Sequence, residues 1–435
     1  MLEFLGPYQI NGVCEVPGDK SISHRSIILA ALTNDEVNID NFLLAEDCLS
    51  SLNVMRKLGL GFELSNHHLK IKGCTINGFK EPDDILYVSN SGTTIRLFSG
   101  FLCACNFMSI LSGDSSINNR PMDRIIKPLT IMGAKIFGRS ENTKAPIVIF
   151  GIGPSLKGAN FEINISSAQV KSCLSIAALF AKGPTEILQP LVSRDHTERM
   201  LEYFGAKIEY DGRRTKIWPS NLVGKDIYIP GDFSSAAYFI VAGLILNNSI
   251  VEIKNVGINP TRTYLLKILK KMGAKFEIKN KRVKNNEEIA DIKVYSSNLK
   301  SINIESKHVP NIIDEIPILS VAAVFAEGTS IIKGASELRI KESDRLRAIS
   351  NEFKKLGILI EELEDGLIIH GNKNYDLKSA KLESYNDHRI AMSLSILALK
   401  SQNKITIDNT DCIETSFPNF EEKLFSLLAK DEKEY

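Results

Sequence analysis

The stretch Met132-Gly133-Ala134-Lys135-Ile136 is one of five versions of a single phrase. The others are Lys57-Leu58-Gly59-Leu60-Gly61-Phe62, Phe204-Gly205-Ala206-Lys207-Ile208, Met272-Gly273-Ala274-Lys275-Phe276 and Leu356-Gly357-Ile358-Leu359-Ile360. Each reads as the end of an amphipathic helix, stopped by a glycine just past its last turn and followed by an extended apolar segment entering a sheet. The first glycines stand at 59, 133, 205, 273 and 357, in steps of 74, 72, 68 and 84 residues. Six units of about 72 residues tile the chain, which marks a repeat architecture.

A second series runs ahead of the first. Small-residue, apolar helices are expected from Ser21 (SISHRSIILAAL), Ser91 (SGTTIRLFSGFL), Ser166 (SSAQVKSCLSIAALFA), Asp232 (DFSSAAYFIVAGL), Ile313 (IDEIPILSVAAVFA) and Asn386 (NDHRIAMSLSILAL). Apolar residues on every side imply helices buried inside each half, and their hydroxyl, Asp and Asn starts suit N-caps. A unit therefore reads as strand, buried helix, strand, amphipathic helix, then a strand or two. Polar and basic residues crowd into the buried-helix starts. A helix N-terminus carries about half a positive charge and unpaired N–H groups, so six that met would trap anions. Pro-Gly-Asp occurs at 17–19 and at 230–232, each time before a buried helix. This predicts an N-terminal domain of residues 18–230 and a second domain of residues 1–17 plus 231–435, three units each. A hinge is expected near 17–20 and 228–232, closing on substrate.

The 435 residues are 43% apolar and 24% charged, with 53 Lys+Arg against 52 Asp+Glu and a formal charge of +1. That apolar share excludes wholesale disorder, and the balanced charge makes no case for a nucleic-acid or polyanion partner. No apolar run approaches the ~18 residues needed to cross a bilayer; the longest lies around Phe239–Leu246. The opening MLEFLGPYQI shows neither the basic nor the apolar part of a signal peptide. Seven scattered cysteines without Cys-x-x-Cys point to a reducing cytoplasm rather than to disulfides or zinc. With no Walker A loop, no Gly-x-Gly-x-x-Gly and no ligand-spaced His/Cys cluster, no cofactor and no metal are expected.

Pro17-Gly18-Asp19-Lys20-Ser21-Ile22-Ser23-His24-Arg25 combines a tight turn, hydroxyls at a helix start, a point-charge lysine and a planar guanidinium one turn later. These are the ingredients of a carboxylate or phosphate site; the plain alternative is a solvated helix cap. The segment resembles the N-terminal signature of the 5-enolpyruvylshikimate-3-phosphate synthase (3-phosphoshikimate 1-carboxyvinyltransferase) family. Further stretches resemble that family in order: Asn90-Ser91-Gly92-Thr93-Thr94-Ile95-Arg96-Leu97, Gly113-Asp114 with Arg120-Pro121-Met122, and Ser167-Ala168-Gln169-Val170-Lys171-Ser172. The series continues with Ser193-Arg194-Asp195-His196-Thr197-Glu198-Arg199, Gly231-Asp232-Phe233-Ser234-Ser235-Ala236 and Asp314-Glu315-Ile316-Pro317. It ends with Glu337-Leu338-Arg339-Ile340-Lys341-Glu342-Ser343-Asp344-Arg345-Leu346 and Asn386-Asp387-His388-Arg389.

The resemblance implies transfer of the enolpyruvyl group of phosphoenolpyruvate to the 5-hydroxyl of shikimate 3-phosphate. Phosphate leaves by addition–elimination through a tetrahedral intermediate, on the way to chorismate and the aromatic amino acids. It also implies an α/β (α+β) fold of two domains, each of three βαβαββ repeats in the inside-out α/β barrel manner. That count agrees with the repeats read above. The N-terminal domain would bind shikimate 3-phosphate and the other would carry the catalytic carboxylates, in a monomeric enzyme acting on small molecules in the cytoplasm.

By the same resemblance, Lys20 contacts phosphoenolpyruvate and transfers a proton, being held among cations that favour its neutral form. Ser21 and Arg25 would hold the shikimate carboxylate, Ser167 and Ser193 its phosphate, and Gln169 both substrates. Ala168 stands where some members have a second hydroxyl. Gly92, Arg120, Arg345 and Arg389 would receive phosphoenolpyruvate, Gly92 because backbone close to an anion leaves no space for a Cβ; a plain helix glycine is the alternative. Asp314 would take the 5-hydroxyl proton, Lys341 would bond the shikimate hydroxyls, and Glu342 would share the methyl proton with Lys20. Glu342 alone would read as a helix-start acid. Arg96 stands open between substrate and domain bracing. Glu414-Thr415-Ser416-Phe417-Pro418 lacks a lysine that some members place there, so Arg345 and Arg389 suffice or Lys423 reaches in.

The Arg194–Arg199 stretch and Glu337-Leu338 read like members that bind glyphosate poorly, whereas Gly92 leaves it space; partial sensitivity is expected. The sister transferase acting on UDP-N-acetylglucosamine shares Lys20 and Arg120. It carries a reactive Cys (sometimes Asp) in the loop before the arginine and Asn after the lysine, where this chain has 114–119 without cysteine and Ser21. A catalytically silent anion-binding repeat protein would have lost charges that are all kept, and an RNA-processing cyclase would need an ATP-handling histidine site and a basic groove.

Overall fold

The computed structural model describes residues 1–430. All five phrase glycines lie in the left-handed region, with φ of +87° at Gly59, +90° at Gly133, +83° at Gly205, +94° at Gly273 and +82° at Gly357. The closure is the same each time. At Gly133 the glycine N–H returns to Thr130 O and the Ala134 N–H to Leu129 O, and at Gly357 the pairs are Lys354 and Phe353. These two bonds satisfy carbonyls that the last turn leaves open. The outer helices so ended are Glu46–Lys57, Asp123–Ile131, His196–Tyr203, Tyr264–Lys271 and Arg345–Lys355.

The inner helices are Lys20–Ala31, Gly92–Leu102, Ala168–Ala178, Phe233–Ile245, Ile316–Val324 and His388–Ala398. They begin up to three residues from the positions expected. The capping residue stands outside its helix, as Ser167 and Asp387 do, and Pro317 fixes the first turn of the fifth. Their apolar sides form the core of each unit: Phe98, Phe101 and Leu174 in one, Phe239, Val321 and Leu394 in the other.

Each full repeat lays a mixed sheet over its helices, four-stranded except in the fourth repeat, where Leu428–Lys430 adds a fifth strand. In the second repeat the order is Leu86–Tyr87, Met108–Ser112, Lys144–Phe150, Lys135–Gly138, the first pair parallel and the others antiparallel. A parallel pair needs a crossover, and the inner helix supplies it. Two repeats obtain that first strand from elsewhere in the chain. Tyr8–Glu15 precedes the first inner helix yet pairs parallel with Ile250–Gly257 of the fourth repeat. Ile227–Tyr228 precedes the fourth inner helix yet pairs parallel with Glu36–Asp40 of the first. The sixth unit departs from the expected βαβαββ pattern. Its sheet is Leu2–Phe4, Ile405–Asp408, Ala380–Glu383, with the N-terminal strand where a hairpin strand would lie, and Leu428–Lys430 pairs instead with Tyr8–Glu15.

The chain clusters into two compact units. One comprises Met1–Pro17, Pro230–Arg282 and the chain from Glu288 onward; the other comprises Gly18–Ile229 and Val283–Glu287. The short Val283–Glu287 segment is the tip of the hairpin made by Lys275–Lys284 and Glu287–Tyr295, and no feature of the sequence marks its membership. Among the described residues no helix is long and apolar enough to cross a membrane.

A Cβ added at Gly133 meets no atom within 4 Å, so alanine there tests the backbone alone. Gly133→Ala is expected to cost about 1–2 kcal/mol for left-handed backbone, seen as a lower urea midpoint, and Gly133→Asn less. An alanine variant with the parental midpoint would contradict this account of the repeat.

Candidate active site

In the unit of Gly18–Ile229, the inner helices are buried except at their first turns, where Lys20, Ser21, Thr93, Ala168 and Gln169 stay accessible. These ends carry the residues expected to meet substrate. Lys20 Nζ pairs with Asp47 Oδ2 at 2.9 Å, so an anion stands in the company of cations expected for it. Arg25 is buried and donates through Nε to Thr197 Oγ1 at 2.6 Å, through Nη2 to Ser172 Oγ at 2.7 Å and through Nη1 to Ser21 O at 2.7 Å. Burial, partly offset by Asp19 and Glu198, pushes its guanidinium down to about 10. Three of its five N–H groups are used in these bonds.

Gln169 is fixed at both ends, accepting from Arg96 Nη1 at 2.5 Å and donating to Thr93 Oγ1 at 3.0 Å. Arg96 also donates to Pro121 O at 3.2 Å, which makes it a brace inside this unit. Arg120 Nη2 donates to Asn90 Oδ1 at 2.9 Å. A Cβ on Gly92 would lie 3.0 Å from Arg120 Nη1 and 3.2 Å from Arg96 Nη1, so a methyl there would press on both guanidiniums. Ser167 caps its helix, accepting from the Val170 N–H at 3.4 Å. Ser193 is buried and donates to Gln189 Oε1 at 2.7 Å, while Gln189 Nε2 donates to Ser167 O at 3.2 Å.

The other unit is built differently. Its inner helices are buried along their whole length, so accessible chemistry comes from the loops before them. Asp314, 15% exposed, has three guanidiniums about its carboxylate: Arg345 Nη1 at 3.5 Å, Arg389 Nε at 3.7 Å and Arg262 Nη1 at 4.0 Å. Arg389 Nη1 also donates to Asp314 O at 3.2 Å. Arg345, only 1% exposed, grips Asp387 through Nε at 2.8 Å and Nη2 at 3.2 Å, and Glu342 through Nη2 at 2.6 Å. Burial works against the Arg345 charge, but Asp387 and Glu342 outweigh it and hold the guanidinium above its ordinary value. Arg389 is likewise raised: burial works against its charge, but Asp314, Tyr238, Glu315 and Asp232 together outweigh it. Lys341, half-buried, follows the turn Ser336–Ile340.

A family model described as EPSP synthase (3-phosphoshikimate 1-carboxyvinyltransferase) matches residues 5–424. The 3-phosphoshikimate 1-carboxyvinyltransferase of Petrotoga mobilis is 49% identical over 416 residues, covering 95% of this chain and 96% of that one. That of Thermoanaerobacter sp. (strain X514) is 47% identical over 420 residues, with 96% and 98% covered. A solved structure of EPSP synthase from Acinetobacter baumannii matches with a TM-score of 0.87 at 41% identity, covering 98% of both chains. The chain belongs to the EPSP synthase family.

For an EPSP synthase family member, several supports here carry no mark in the sequence reading. Arg262 is buried and ties Asp232, Ser234 and Glu315 together, with Nη2 to Ser234 Oγ at 2.6 Å, Nη2 to Asp232 Oδ1 at 3.2 Å and Nη1 to Glu315 Oε1 at 3.4 Å; Ser234 Oγ donates to Glu315. Gln189 and Asp47 were also unassigned. Their shared signal is a polar residue among apolar neighbours, which must find a partner, although the partner is not readable from spacing. The helix ends expected as an anion trap are occupied in part by the chain's own capping side chains. Asp19, Asp232 and Asp387 each accept from one N–H group of the helix they precede, that of Ile22, Ser234 and Arg389. Lys423 donates to Glu15 O at 2.6 Å rather than standing free. Thr415 Oγ1 contacts His388 Nδ1 at 3.2 Å, beside Arg389.

His24, on the first inner helix, is buried with Nδ1 against Ser51 Oγ at 2.8 Å. Burial, aided by Lys20 and Arg25 and opposed by Asp47, pushes it down from 6.5 to about 3. The folded protein therefore holds a neutral imidazole while the unfolded chain protonates. This contribution to stability is complete above pH 6.5 and is lost as pH falls toward 3. Urea midpoints of His24→Gln are expected to fall less steeply than wild type between pH 7 and pH 4; parallel slopes would contradict this.

Proposed function

We infer that the chain is a 3-phosphoshikimate 1-carboxyvinyltransferase, and we propose the following division of labour. Lys20, Gly92, Arg120, Gln169, Arg345 and Arg389 receive phosphoenolpyruvate. Ser21 and Arg25 hold the shikimate carboxylate, Ser167, Gln169 and Ser193 the phosphate side, and Lys341 the ring hydroxyls beside Asp314. The unit of Gly18–Ile229 binds shikimate 3-phosphate, the other brings the carboxylates, and the chain crossings at 17–20 and 228–232 serve as hinge. The observation that carries this reading is the pair Asp314 and Glu342, 15% and 21% exposed, both against the buried Arg345. Two accessible carboxylates on one fixed cation form a ready acid–base pair whose orientation costs nothing at the moment of reaction.

In the first step the 5-hydroxyl oxygen bonds to C2 of phosphoenolpyruvate, its proton passing to Asp314. The C3 methylene takes a proton and becomes methyl, leaving a tetrahedral adduct with phosphate still on C2. In the second step a methyl proton is removed, the C2–C3 double bond returns and the bond from C2 to the phosphate oxygen breaks. Glu342 and Lys20 handle the carbon-bound proton as a coupled pair. Arg120, Arg345 and Arg389 balance charge on the departing phosphate. The seven cysteines are free thiols, which supports a reducing, cytoplasmic setting.

Asp314→Asn and Glu342→Gln are each expected to lower turnover by about 10²–10⁴-fold, read as phosphate release, with far-UV circular dichroism unchanged. Near-normal turnover in either removes its assigned role. Gly92→Ala, which crowds Arg120 and Arg96, is expected to raise both the phosphoenolpyruvate KM and the glyphosate inhibition constant. Equal inhibition constants would sink the steric argument.

A further inference from the structure

The second repeat departs from its siblings at its hairpin. The other hairpins turn within residues 66–67, 211–213, 285–286 and 364–365, whereas here the connection runs from 139 to 143. Within it Ser140 (φ 52°, ψ 60°) and Glu141 (φ 55°, ψ 44°) are left-handed, and Asn142 follows at φ 64°. None of the three is glycine, and each crowds its Cβ against the next carbonyl. Strain of this kind persists where the surroundings over-determine it.

Those surroundings lead to Arg120. Arg139 Nε donates to Ala145 O at 3.0 Å and Nη2 to Asn118 O at 2.9 Å. Thr143 O accepts from the Met122 N–H at 2.7 Å, and Lys144 Nζ reaches Asn119 Oδ1 at 3.4 Å. The turn therefore grips the chain at 118–119 and at 122, on both sides of Arg120. The near end of that loop is tied to itself, Asn118 Nδ2 donating to Gly113 O at 2.8 Å and Asp114 Oδ1 accepting from the Ile117 N–H at 2.8 Å. We propose that the left-handed turn at 139–143 is a buttress that sets the position of Arg120, and that Arg139 is its positioning residue. Arg139 is exposed, so it acts through the loop rather than on substrate. The proposal rests on the reading in which Arg120 receives phosphoenolpyruvate.

Steady-state kinetics in both substrates, with thermal midpoints, test it on Arg139→Ala, Arg139→Lys and Arg120→Gln. Arg139→Ala is expected to raise the phosphoenolpyruvate KM about tenfold, with the shikimate 3-phosphate KM and the thermal midpoint unchanged. Arg139→Lys, able to remake one of the two bonds, falls between it and wild type, and Arg120→Gln exceeds it. An unchanged phosphoenolpyruvate KM in Arg139→Ala, with that of Arg120→Gln raised, overturns the buttress alone. Both KM values rising together, or a lowered thermal midpoint, shows a merely structural role and overturns it too. An unchanged KM in Arg120→Gln overturns the reading of Arg120, and the buttress falls with it.

Discussion

Helices packed within each unit begin with groups that have left water, and each such group must be matched where it stands. Arg345 illustrates the constraint. A guanidinium 1% exposed is tolerable only with charge and hydrogen bonds around it, and removing one partner leaves the rest uncompensated. Asp387 serves it twice over, as its main counter-charge and as the cap of the inner helix that carries Arg389. Helix start, buried ion network and catalytic candidate are therefore one object. Groups so tightly matched do not reorganise as charge develops, which is the condition under which electrostatic catalysis is effective.

Repetition offers each unit three equivalent helix starts, and function breaks the equivalence. In the unit of Gly18–Ile229 the first turns remain accessible and present Lys20, Ser21 and Gln169, a surface suited to holding anions. In the other the helices sink entirely, and Glu315 leaves its capping place to join Ser234 and Arg262. Asp314 and Glu342, in the loops, keep the accessible oxygens. The depth at which the inner helices are set is what would divide binding from acid–base chemistry in the proposed reading.

The repeat was legible because its punctuation is local. A left-handed glycine after an amphipathic turn leaves the same trace at Gly59, Gly133, Gly205, Gly273 and Gly357, and the structure places all five alike. The inner helices were legible through their unbroken apolar character, with starts blurred by caps that stand outside the helix. The exchanged strands were not, because Ile227–Tyr228 has two residues and no periodicity to show which sheet it joins. Nor was the hairpin tip Val283–Glu287, whose polar residues look like any turn. At the site, Lys20, Asp314, Glu342, Arg345 and Arg389 stood out through resemblance to a family, while Asp47, Gln189 and Arg262 are partners chosen through space. Their identity depends on which helix ends are neighbours, and sequence spacing carries no record of that.

The central claim is that the carboxylate cluster and the polar helix ends carrying Lys20, Ser21 and Gln169 serve one addition–elimination on two acidic substrates. Phosphorus NMR of the protein mixed with phosphoenolpyruvate and shikimate 3-phosphate tests it most directly. The account predicts that inorganic phosphate and one new phosphomonoester resonance grow in equal amounts, and only when both substrates are present. Phosphate appearing without shikimate 3-phosphate, or two substrate signals that never change, would contradict it.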